Sequence, residues 1–170
     1  MISDRPAGAG DRAVPGHWEG DLIIGKNGRS AIGTLVERST RFVMLLHLPG
    51  GHGAAQVAAA MTEVMGSLPG QLRRSLTWDQ GGEMAGHAQI ALATDLDIYF
   101  CDPHSPWQRG SNENTNGLLR QYFPKGSDLS VHSREHLDAV AAQLNSRPRK
   151  TLGWKTPAQS LDEFLAGAAA

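Results

Sequence analysis

The chain has 170 residues, 40% apolar and 19% charged, which suits one domain with a sizeable core and leaves too little for two. No apolar run approaches the roughly 20 residues of a membrane span, MISDRPAGAGDR lacks the order of a secretory signal, and the lone Cys101 excludes an internal disulfide, so a cytoplasmic protein is expected. A net charge of −1 excludes a uniformly basic coat, yet residues 1–106 hold 8 Lys/Arg against 11 Asp/Glu while residues 107–155 hold 8 against 4.

Residues 1–15, rich in Gly, Pro and charge without periodicity, read as an arm or linker. "HWEGDLIIG" is a β-prone run ending in the turn cluster Gly25-Lys26-Asn27-Gly28. "SAIGTLVE" and "RFVMLLHL" follow around Arg38-Ser39-Thr40, which predicts an antiparallel meander of three strands. "GAAQVAAAMTEVMGSL" places apolar residues at 57, 61, 64, 65 and 68, the spacing of an amphipathic helix, and stops at Pro69-Gly70. "RSLTWD" reads as a buried strand, "MAGHAQIALATDL" as a helix and "IYFC" as a fifth strand closed by Asp102-Pro103. A helix over 112–122, a helix from Arg134 to Asn145, a basic segment "SRPRKTLGWK" and a last short helix complete the chain. Thr156 as cap, Pro157 in the first helical position and Gln159 closing a capping box mark the start of that last helix. The order predicts a mixed α/β domain over 16–150, an antiparallel meander joined to parallel strands by helical crossovers, with a C-terminal tail over 151–170.

Two aspartates stand in or at the ends of predicted strands: Asp21 among apolar residues and Asp79 in "TWDQGG". Aspartate is disfavoured in strands and costly to bury without a partner, so each demands a compensating charge, hydrogen bonds or a cation. Glu113, early in a helix after the lead "RGSN", can add a third oxygen from outside the sheet. Such an all-oxygen set suits a hard cation such as Mg²⁺, and a pair of ions there suits phosphodiester chemistry. Plainer readings stay open: an arginine partner for Asp21, a turn cap at Asp79, a favourable helix-dipole contact for Glu113.

The stretches "GHWEGDLIIG", "GTLVERSTRFV", "LTWDQGGEMAGH", "YFCDPHSPWQRGSNENTNGLLRQYFPKGSDLS" and "LNSRPRKTLGWKTPAQ" together resemble the catalytic core of DDE transposases of the IS30 insertion-sequence family. The resemblance covers residues 14–160, and the 33 residues between Asp79 and Glu113 agree with its pattern. It implies a ribonuclease H-like, retroviral-integrase-like fold: a mixed five-stranded sheet of three antiparallel strands and then parallel ones, flanked by helices. It implies Asp21, Asp79 and Glu113 as a catalytic triad holding Mg²⁺, with Mn²⁺ as substitute and two ions per site in the DNA complex. The implied activity is cleavage at transposon ends and transfer of the freed 3′-hydroxyl into target DNA. Double-stranded DNA is then the partner and a homo-oligomer forms on it, in a nucleoid-associated protein with no membrane and no small-molecule cofactor.

On a helix over 112–122, Glu113, Asn116 and Arg120 fall at i, i+3 and i+7 on one face, so Asn116 and Arg120 extend the site toward a phosphate backbone, or are ordinary helix polars. Trp107 and Arg109, in the "HSPWQRGSN" approach, are candidates for DNA contact, Trp107 alternatively for packing. Glu83, His17 and His87 are candidate supports of the triad. "HSREH" at 132–136 matches one zinc-protease pattern, but Ser133 as N-cap puts His132 ahead of the helix and off the face of His136, so no zinc site is expected. Full-length family members carry helix-turn-helix segments before the core, and residues 1–15 cannot form one, so a core fragment or truncated product is expected. The alternatives to strand transfer are a non-catalytic remnant that competes with intact transposase, and a nuclease of the same fold.

Overall fold

The computed structural model describes residues 14–78, 84–101 and 110–169, at 110–113 and 168–169 through the backbone alone. Strands β1 (His17–Ile24), β2 (Ala31–Glu37), β3 (Val43–His47), β4 (Ser75–Trp78) and β5 (Asp97–Phe100) form one sheet in the order β3-β2-β1-β4-β5. The pairs β1/β2 and β2/β3 are antiparallel and β1/β4 and β4/β5 parallel, the mixed sheet that the resemblance implies. Helices α1 (Ala54–Gly66), α2 (His87–Thr94), α3 (Gly110–Leu119), α4 (Arg134–Asn145) and α5 (Pro157–Ala169) surround it.

Strand alternation feeds two cores. Trp18, Leu35, Leu46, Leu76 and Trp78 pack with Val57, Met61 and Met65 of α1 and Ile90 of α2 on one face. Ile23, Ile32, Val36, Val43 and Leu45 pack with Leu119 of α3 and with Leu137, Val140 and Leu144 of α4 on the other. β2 is buried along its whole length, which is why "AIGTLVE" reads as a continuous apolar run broken only by small or satisfied residues.

Most element ends fall where local chemistry puts them. The β1–β2 turn closes with Asn27 at φ 56° and Gly28 at φ 69°. Ser133 caps α4 by accepting from the His136 N–H at 3.1 Å. At α5, the Gln159 N–H donates to Thr156 Oγ1 at 3.0 Å and the Thr156 N–H to Gln159 Oε1 at 2.9 Å, the reciprocal box read from the sequence.

Several boundaries differ from expectation, most clearly at three helices. α2 begins at His87 rather than at residue 84, because Gly86 leaves the helical region (φ −86°, ψ 16°), and it ends on the left-handed Asp95. α3 stops at Leu119, where the Tyr122 and Phe123 N–H groups both close on the Leu119 carbonyl at 2.9 Å and Pro124 follows. α5 runs for 13 residues and is not a short helix. Among the described residues no helix is long and apolar enough to cross a membrane.

Candidate active site

β1 is the central strand, with an antiparallel neighbour on one side and a parallel one on the other. Asp21 sits on it between Glu19 and Ile23, on the face that α3 and α4 cover. Glu19 is fully buried and meets Arg38 Nη1 at 3.2 Å, so this ion pair takes a guanidinium at position 19. Half-buried Asp21 accepts from two neutral donors among others: the Leu22 N–H reaches Oδ1 at 2.8 Å and the Asn116 amide reaches Oδ2 at 3.2 Å. Thr34, opposite it on β2, donates its hydroxyl to the Asp21 carbonyl at 3.2 Å. The Asp21 carboxylate is thus oriented by two neutral donors, and an oxygen donor of this kind fits a hard cation.

Asn116 joins the site to α3 across 95 positions of sequence. Position 113 lies one helical turn before it, on the same helix face. Arg120, just beyond the helix, donates Nη2 to the Ile24 carbonyl and Nη1 to the Phe123 carbonyl, each at 3.3 Å, and so pins the end of α3 to the end of β1. Asp79, Glu83, Trp107 and Arg109 lie outside the described residues, and Glu113 is described by its backbone alone. Among the described residues, no group of three or more His, Cys, Asp or Glu side chains is arranged to hold a metal.

The two candidate histidines each make a hydrogen bond within the fold. His17 is buried at the start of β1, where Nδ1 shares a hydrogen bond of 2.7 Å with Ser75 Oγ. His87 Nδ1 meets the Met84 carbonyl at 3.1 Å and its ring stands edge-on to Phe100 at 5.1 Å between centroids.

His132 lies ahead of the Ser133 cap as expected, but the expectation that it stays off the face of His136 is corrected. Their rings stack at 5.0 Å, because the extended backbone of His132 folds its ring back over the first turn of α4. Both pack on Phe123, at 4.9 and 5.9 Å. Burial and the neighbouring His136 hold the His132 imidazole below the ordinary histidine value, with Asp128 pulling the other way.

The structure also assembles a basic pocket of about 360 Å³ from Arg41, Arg149 and Lys150 beside Asn114 and Thr115 of α3. The charge run "SRPRK" signals Arg149 and Lys150; nothing in the sequence joins them to Arg41, more than 100 positions earlier.

The chain matches the integrase core domain family over residues 11–106. It is 58% identical over 165 residues to the transposase for insertion sequence element IS1086 of Cupriavidus metallidurans, covering 97% of this chain and 48% of that protein. It is 50% identical, over 97% of this chain and 43% of the relative, to transposase InsI for insertion sequence element IS30C of Escherichia coli. The chain thus spans about half the length of these relatives. The crystal structure of the catalytic core domain of BIV integrase superposes with a TM-score of 0.65 at 18% identity, over 91% of this chain and 99% of that one, so the two share a ribonuclease H-like fold. With this sheet, and with transposases of insertion sequence elements as relatives along nearly all its length, the chain belongs to the integrase core domain family.

Proposed function

We propose that the chain is the catalytic core of a polynucleotidyl transferase that cuts DNA at transposon ends and joins the freed 3′-hydroxyl to target DNA. Asp21, Asp79 and Glu113 would hold divalent cations, Mg²⁺ or Mn²⁺ in substitution, as two ions per site in the DNA complex; such ions supply Lewis acidity toward the attacking and leaving oxygens. In the first step a water oxygen bonds to phosphorus and gives up a proton, while the P–O3′ bond breaks and the departing 3′-oxygen takes up a proton. In the second, that 3′-oxygen bonds to a target phosphorus, loses its proton and releases a target 3′-oxygen.

The observation that carries this reading is the Asn116 amide on Asp21, which fastens the helix bearing Glu113 to the strand bearing Asp21. Two sequence regularities support Asp79 as the third member. β1 and β4 pair with a constant offset, 17 with 75, 18 with 76 and 19 with 77, and positions 21 and 79 keep that offset. Leu76 and Trp78 belong to the opposite core, so the odd positions of β4 share a face with Asp21.

The chain's own residues then have distinct parts. Asn116 fixes the Asp21 carboxylate and donates no charge that would compete with a cation. Arg120 holds the end of α3 in place. Trp107 and Arg109 are proposed to contact DNA ahead of α3. A homo-oligomer on double-stranded DNA completes the assembly.

Asp21→Asn, Asp79→Asn and Glu113→Gln should each lower Mg²⁺- or Mn²⁺-dependent cleavage and strand transfer by roughly a thousandfold or more, with the melting temperature little changed. Oligonucleotide assays read this directly, and turnover retained in Glu113→Gln would remove that residue from the site.

A further inference from the structure

The basic pocket lies on the flank of α3 away from Asp21. Asn114, Thr115 and Leu118 face it, whereas Asn116 turns to the metal-side carboxylate. Its far wall is the turn after α4, which is tied into one shape: the Arg149 N–H donates to the Lys155 carbonyl at 2.9 Å, and the Arg149 carbonyl accepts from Leu152 at 3.1 Å and Trp154 at 2.8 Å. Gly153 and Trp154 adopt left-handed φ of 63° and 68° to close this turn.

The cations of this turn are used differently. Arg147 donates to the Tyr122 hydroxyl and lies 5.7 Å over that ring. Lys155 pairs with Glu163 at 2.8 Å. Arg149 instead points into the pocket with Nε and Nη2 removed from solvent and without a hydrogen-bond partner among the described residues. Lys150 and Arg41 line the same space, and no carboxylate is among its described lining residues. Three cations converging on a polar pocket, one with buried unspent donors, call for a tetrahedral oxyanion. Burial and the nearby Arg147 also hold the Arg149 guanidinium below its ordinary value, and a bound anion relieves both effects.

We propose that this pocket grips one phosphodiester of the DNA backbone, with Arg149 as the forked donor, Lys150 and Arg41 as supporting charges and the Asn114–Thr115 turn of α3 as the opposite wall. It rests on the reading that the chain acts on DNA, and adds to it a second anchor outside the carboxylate site. A helix is about 10–12 Å across with its side chains, so the anchored phosphate lies roughly three nucleotide rises from the Asp21 flank. Trp154, 66% exposed on the same turn, is available to stack on a base of a bound strand. The contact is sequence-independent, and it fixes the strand's register over α3.

The test is the salt dependence of binding to a short labelled duplex, read by fluorescence anisotropy in EDTA, for the wild-type chain, Arg149→Gln and Lys150→Glu. Each neutralised phosphate contributes about 0.9 to the slope of log K against log salt, so Arg149→Gln should lower the slope by about 1, equally on duplexes of unrelated sequence. Lys150 is exposed, so Lys150→Glu leaves folding intact and should weaken duplex binding even where Arg149→Gln melts early. Slopes and affinities unchanged in both variants overturn the pocket. A free-phosphate site would show instead as a melting temperature raised by millimolar inorganic phosphate and lost in Arg149→Gln, with the duplex slope unaltered, and that overturns the backbone assignment. Wild-type protein that binds duplex but cuts nothing with Mg²⁺ or Mn²⁺ overturns the catalytic reading alone; protein that binds no duplex overturns both.

Discussion

Between Glu19 and Asp21 the central strand carries Gly20, and the Trp78 ring of the neighbouring strand lies directly over it; a Cβ at position 20 would collide with Cε3 and Cζ3 of that ring. The ring is fully buried and hemmed in by Leu76 and the rest of its core, so it has no room to retreat. Gly20→Ala should therefore destabilise by about 1–3 kcal/mol, the usual cost of overpacking, and lower the melting temperature by several degrees. Because the strain falls next to Asp21, its activity should drop further than its stability alone accounts for. At the sheet edge, the Asn145 side chain does for Val43 what a sixth strand would do: Oδ1 accepts from the Val43 N–H at 2.8 Å and Nδ2 donates to the Val43 carbonyl at 2.9 Å. Asn145→Ala strands two buried backbone groups at about 1–3 kcal/mol each, and Asn145→Asp should recover only the N–H bond. Urea titration of the two variants ranks these losses.

At the scale of elements, the join between α3 and α4 is built from aromatic and imidazole rings. Phe123 follows α3, His136 lies in the first turn of α4, and His132 bridges them, with His47 of β3 meeting the His132 carbonyl at 3.1 Å. The folded pKa of His132 lies below the ordinary value of 6.5, so below that pH the unfolded chain binds more protons than the folded one. The contribution is complete above the ordinary value and is lost as pH falls toward the lowered one. Stability should thus decline as pH falls below the ordinary value of 6.5, and His132→Leu should flatten that part of the profile. Chemical denaturation across this range checks the sign: a steeper decline in the variant would mean that the imidazole pair is stabilised by protonation.

Across the whole molecule, what the sequence reveals is what depends on neighbours in the chain. The meander, the Val57–Met61–Val64–Met65 stripe of α1, the Ser133 cap and the Thr156–Gln159 box are all set within a few residues, and each stands where it was expected. Asp21 announces itself because an aspartate among strand residues is out of place. The contacts that give it meaning are long-range and leave no local pattern: Asn116 on Asp21, Asn145 on Val43 across 102 positions, Arg149 beside Arg41. The meeting of His132 with His136 was hidden for a related reason, since helical periodicity says nothing about an extended residue that folds back over the helix it precedes. The three family positions share a motif legible in sequence, whereas the cationic pocket needs folding to bring its walls together.

Trp18 and Trp78 are fully shielded on the core face behind Asp21, and Trp154 projects from the basic turn. With Trp107, which lies outside the described residues, replaced by phenylalanine, the protein carries two optical channels. The shielded pair emits from an apolar surrounding, shifts only when the sheet comes apart, and is out of reach of an aqueous quencher. Trp154 is open to iodide and to whatever settles beside Arg149. Selective quenching separates the two signals, so one unlabelled sample reports both whether the sheet is intact and whether the turn is covered.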